Sequence, residues 1–168
     1  ILNLGDEIHQ LPRDPKGATQ RGNILSYGVT SVYTAPDGDS YKSFHVSSDH
    51  YSYSKFGFAN PAKGIPGIFF HGVPVNVMPV SGKATYNGVA FNNDAKGTLA
   101  YQVDFGKKEG QGKIAGLGRY GDITLRPARL TLDNSDDFVV AELNGTATGN
   151  TGGAMRYNAR LWGPGAAE

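Results

Sequence analysis

The chain has 168 residues, of which 24 are glycine, 9 proline and none cysteine; 39% are hydrophobic and 18% charged. So much glycine opposes a helical fold, because glycine in a helix interior costs about 1 kcal/mol relative to alanine. The 16 basic residues are balanced by 15 acidic ones, which leaves no basic footprint for nucleic acid or an anionic membrane, and the missing cysteine excludes disulfides and thiolate chemistry.

Ile1–Gln10 carries no basic segment followed by an apolar stretch, so any signal peptide is expected to have been removed already. Leu25, Tyr27, Val29 and Tyr33 alternate with Ser26, Gly28 and Thr30, the period of a half-buried strand. Ala35-Pro-Asp-Gly38 has turn chemistry, and Tyr41 to Ser47 reads as the returning strand of a hairpin. Ser48 to Phe58 has no clean period. Asn60-Pro61, Gly64, Pro66 and Gly67 then mark a loop. The longest apolar patch, around Ile65–Phe70, is far short of the roughly 18–20 residues that span a bilayer, so the chain is not expected to be membrane-spanning.

From Ser81 onward the pattern becomes regular. Strands are predicted at Lys83–Phe91, Leu99–Phe105, Lys113–Leu117, Asp122–Leu132 with a break at Pro127, Phe138–Leu143 and Ala154–Trp162. Lys107–Gly112 reads as a solvated hairpin tip. The expected fold class is all-β, with a small β-rich domain over residues 1–80 and an antiparallel domain over 81–168.

Three carboxy-terminal segments carry a resemblance: Ser81-Gly-Lys-Ala-Thr-Tyr-Asn-Gly-Val-Ala-Phe91, Tyr101-Gln-Val-Asp-Phe-Gly-Lys-Lys-Glu-Gly-Gln-Gly-Lys-Ile114 and Ala159-Arg-Leu-Trp-Gly-Pro-Gly-Ala-Ala-Glu168. In that order they resemble the β-barrel domain shared by transferrin-binding protein B, factor H binding protein and related bacterial surface proteins. The resemblance implies an eight-stranded antiparallel barrel, exported by an outer-membrane translocator. That family's barrel continues past the Gly-Pro-x-Ala-x-Glu segment, so the last strand is expected to be missing from this chain, through truncation, nicking or supply from elsewhere. The family's lipid-acceptor cysteine is also absent, which implies secretion or a trimmed anchor at the surface of a Gram-negative bacterium.

Small secreted members with a variable amino-terminal domain are the hemophilin-like hemophores. Similarity to them implies a heme-binding site in residues 1–80, delivery to an outer-membrane heme receptor, and hemoglobin as a possible donor. All four histidines, His9, His45, His50 and His71, lie in that half, and heme iron takes histidine through a neutral imidazole nitrogen. His50 and His71 are the expected axial ligands. Tyr51, Tyr53, Phe56, Phe58 and Phe70 would wall the slot, and Lys55 would meet a propionate. His71, between Phe70 and Gly72, is expected to cap a turn. His45 reads as a strand residue on a semi-exposed face that could touch heme, and His9 as a residue of a polar leader. Met78 is a sulfur donor in principle, though its lead-in position to the first barrel strand gives it a structural role.

For each histidine the ordinary alternative is a solvated or backbone-bonded residue, and Tyr51 and Tyr53 could equally belong to a plain sheet face. Asp133, Asp136 and Asp137 lack the ligand spacing of a calcium loop. No nucleophile elbow, zinc-protease helix or phosphate loop occurs, and catalysis is not expected. The competing reading is a surface module that binds a host protein, such as a complement regulator, hemoglobin or transferrin, without heme.

Overall fold

The computed structural model describes residues 2–4, 7–9, 19–21, 24–27, 33–34, 40–47, 51–92, 95–133, 140–150 and 152–168. The chain is all-β, in two compact units, Ile1–Gly72 and Val73–Glu168. The sequence had placed the boundary near residue 80. Val75 is buried among the interior residues of the second unit, and Met78 packs against them. The Val73 carbonyl accepts a hydrogen bond from Gly163 N–H at 2.8 Å. No helix among the described residues is long and apolar enough to cross a membrane.

In the first unit β1 (Leu2–Leu4) pairs with β2 (Glu7–His9). A second sheet has the order β3 (Thr19–Arg21), β4 (Ile24–Tyr27), β6 (Ser40–Ser47), β7 (Ser54–Pro61) and β8 (Gly67–Gly72), with β5 (Tyr33–Thr34) pairing on β6. The two expected strands are represented by β4 and β5 and by β6, while Val29 and the Ala35–Gly38 turn lie outside the described residues. Two readings are corrected. The stretch without a period holds β7 from Ser54, which runs through the expected loop residues Asn60 and Pro61, and Gly67, read as loop, and His71, read as capping a turn, both belong to strand β8. Both strands are apolar at consecutive positions, Phe56 to Ala59 and Ile68 to Phe70, so neither shows alternation.

One face of this sheet buries Phe44, Val46, Ala59 and Phe69. Phe44 stacks on Phe69 at 5.5 Å and meets the Tyr41 ring edge-on at 5.1 Å. Tyr41 reaches that face because the β6–β7 register shifts between Tyr41 and Ser43, and a bulge re-aims the side chains beyond it. Gly57 has no room for a side chain, since a Cβ there would lie 2.7 Å from Phe69 Cζ and closer still to the His45 carbonyl.

The second unit is an antiparallel meander of β9 (Lys83–Phe91), β10 (Lys96–Asp104), β11 (Glu109–Ala115), β12 (Ile123–Asp133), β13 (Val140–Gly149) and β14 (Ala154–Leu161), with β9 and β14 at its edges. β13 runs on to Gly149, past the Leu143 end expected from sequence, and Phe138 lies outside the described residues. Pro127 does not break β12. Register shifts between Leu125 and Leu130, where a residue without an N–H is tolerated, and Ile123, Leu125, Ala128 and Leu130 all remain buried.

The sheet is strongly curled. Tyr101 on β10 and Tyr157 on β14 bring their hydroxyls to 3.0 Å, although four strand spacings in a flat sheet would separate them by about 19 Å. Tyr86 on edge strand β9 donates to the Ala166 carbonyl, just beyond β14, at 2.6 Å. Six strands make up this curled sheet among the described residues. Its concave side holds the interior, where Val103, Ala141 and Leu143 have no exposure.

Candidate functional site

The second face of the amino-terminal sheet is unlike the first. Cross-strand register places Ser26, His45, Phe58 and Ile68 in one row over β4, β6, β7 and β8. Phe56 pairs with Phe70 in the neighbouring row. Side chains alternate between faces along a strand, so Phe56 and Phe58 share the side opposite Gly57 and Ala59. Ile68 and Phe70 likewise stand opposite Phe69. Ile68 is 78% exposed and Phe70 44%, while Phe56 and Phe58 are half-buried. The result is an apolar, partly solvated surface about 10 Å across three strands.

His45 is the polar centre of that surface. Its Nδ1 lies 2.9 Å from Ser26 Oγ, and its ring sits 6.4 Å from the Phe58 ring, tilted by 31°. Ser26 itself is buried, with 8% exposure. Burial pulls the His45 pKa below the ordinary histidine value of 6.5, because desolvation disfavours the charged ring. At neutral pH His45 is therefore an uncharged imidazole with one nitrogen occupied.

The other sequence-predicted residues are placed as follows. Tyr51 meets the Phe56 ring edge-on at 5.1 Å, at the entry to β7. Tyr53 is more exposed and precedes that strand. Lys55 alternates onto the side of Gly57 and Ala59, opposite Phe56 and Phe58. His50 lies outside the described residues. His71 is a strand residue of β8 whose backbone pairs with Lys55, which corrects the expectation that it caps a turn. His9 ends β2, paired with Leu2. Sequence reasoning passed over Ser26 and Ile68, and only pairing brings them beside His45. The available signal was phase: Ser26 and His45 are each the small or polar member of an alternating strand.

Elsewhere, Met78 packs against the second unit's interior. A groove of about 500 Å³ on that unit is lined by Gln102, Gln111, Lys113, Thr124 and Arg126 among others. None of the sequence-predicted residues lines it. Among the described residues no group of three or more His, Cys, Asp or Glu could hold a metal ion.

Residues 76–168 match the family described as Factor H binding protein, C-terminal. The chain belongs to this family. The match spans the curled sheet from its lead-in at Asn76 to Glu168, and it covers the three segments that carried the sequence resemblance. The histidine-bearing face lies in the first unit, amino-terminal to the segment that defines this factor-H-binding-protein-like chain.

Proposed function

We propose that this chain is an exported bacterial surface or secreted protein that binds heme on the His45 face of its amino-terminal sheet and passes it to an outer-membrane receptor. The observation that carries this reading is the row that sets His45 beside Phe58 and Ile68, with Phe56 and Phe70 in the neighbouring row. Those residues fit a heme. A macrocycle needs a broad apolar surface with few polar contacts, and its iron needs an uncharged imidazole nitrogen. When bound, the iron supplies a Lewis-acid site for a histidine nitrogen. The protein supplies apolar area, orientation and exclusion of water. His50 stays with this proposal as a further ligand candidate, Tyr51 and Tyr53 as rim residues, and hemoglobin as a possible donor, whereas Lys55 and His71 form a cross-strand pair of the other register phase and are not part of this face. The curled six-stranded sheet would then be most of an eight-stranded barrel, serving export and display through an outer-membrane translocator.

A second reading, a module that binds a host protein without heme, has its own support. The family matched by residues 76–168 is described by binding to factor H, and Ile68 and Phe70 give the first unit exposed apolar surface that a protein could cover. Titration of the purified protein with hemin separates the two. A sharp, saturable Soret band at one equivalent is expected. No such band, together with capture of purified factor H, would overturn the heme reading in favour of the second.

A further inference from the structure

The pairing of His45 with Ser26 carries the heme reading to specific atoms. We propose that His45 Nε2 is the axial donor to heme iron and that Ser26 is its positioning residue, accepting a hydrogen bond from Nδ1–H. This inference rests on the heme reading above.

Geometry around His45 supports it. Ser26 and His45 are direct cross-strand partners on β4 and β6, and such partners face the same side of a sheet. The Nδ1–Oγ separation of 2.9 Å is a hydrogen-bond distance. A partner on Nδ1 leaves Nε2, across the ring, as the nitrogen with a free lone pair when Nδ1 carries the proton. Metal-bound histidines use this arrangement: the second nitrogen donates to a fixed acceptor, which sets the tautomer and the ring orientation. Ser26 is buried and held in a strand, so its oxygen is a fixed acceptor. Phe58 stands beside the imidazole and Ile68 follows in the same row, so the donor rises from apolar surface. Ligation forms one Fe–N bond from the Nε2 lone pair, and the Nδ1 proton stays on the ring.

The test uses the full chain and hemin. The wild type should bind one hemin; failure to bind overturns this inference and the heme reading together. His45→Ala should lose binding by at least about 10-fold and change the Soret and spin-state bands. His45→Gly with added imidazole should restore them. A His45→Ala spectrum identical to wild type would overturn the ligand assignment and leave heme binding standing. Ser26→Ala should weaken hemin binding roughly 10–100-fold and shift the iron–imidazole stretching frequency, while Ser26→Thr, which keeps the oxygen, retains both. Wild-type values in Ser26→Ala would overturn the positioning role. If the His45 variants do not fold, nitrogen NMR of the apo wild type still decides. A proton on Nδ1 is expected, and a proton on Nε2 overturns the proposal.

Discussion

The two sheets spend their apolar residues differently. In the carboxy-terminal sheet the large side chains turn inward, and Leu143, Val103 and Tyr101 fill the concave interior. Most of its outward positions are polar, as in the cross-strand ladder where Arg160 pairs with Glu142 and Asn158 donates to Asn144. The amino-terminal sheet is apolar on both sides. Phe44, Val46 and Phe69 are buried on one face, while Phe56, Phe58, Ile68 and Phe70 leave substantial area open on the other. A sheet that has satisfied its interior is a scaffold. One that keeps a second apolar face half-solvated maintains surface that only a ligand or partner would cover.

Paired substitutions can break that comparison. The largest effect is expected for Leu143→Ala, which removes a side chain with no exposure. Thermal or urea unfolding should show a loss of about 2–5 kcal/mol, and a loss below about 0.5 kcal/mol would mean the curled sheet is not the tightly filled body described. Gly145→Ala comes next. Its Cβ would collide with Tyr157 Cε1, and that ring is pinned by bonds to the Arg126 carbonyl at 2.7 Å and to Tyr101. Overpacking of about 1–3 kcal/mol is expected, with Tyr157→Phe alone costing about 1 kcal/mol.

The opposite outcome is expected on the other sheet. Ile68→Thr, at a position 78% exposed, should change stability by no more than about 0.5 kcal/mol, as for exposed positions generally, yet weaken hemin binding several-fold in the same titration. A large stability loss with unchanged binding would show that Ile68 is core and not ligand surface.

The smallest effect is acid sensitivity in the carboxy-terminal unit. Lys113 and the Gly116 N–H hold Asp122 below the ordinary aspartate value, and the Lys107 N–H does the same for Asp104. With folded pKa values depressed, this contribution is complete above the unfolded aspartate value of 3.8 and fades as pH falls through the folded values. Both groups are partly exposed to solvent, which screens these interactions, so Asp122→Asn should remove only a slight part of the acid-induced fall in melting temperature.

Legibility followed the same division. Leu99, Tyr101, Val103 and Phe105 face one filled interior and so alternate with polar neighbours, and β10 is evident from that period alone. β7 and β8 were obscure because Phe56-Gly-Phe-Ala59 and Ile68-Phe-Phe70 place apolar residues on both faces, which erases period-2 alternation. The feature that hid these strands is the one that makes their outer face a candidate site. His45 was readable as an alternating strand residue. Its bond to Ser26, nineteen positions away, was not.

By itself the sequence determined an all-β chain, a regular run of short carboxy-terminal strands, the family, and the restriction of every histidine to the first 71 residues. Glycine content, alternation and residue identity are local properties, and each can be read from neighbours along the chain. Tertiary structure alone decided the curl that joins Tyr101 to Tyr157, and the row that sets Ser26, His45, Phe58 and Ile68 side by side. Those relations depend on strand register, and a shift of one residue would send every one of these side chains to the other face.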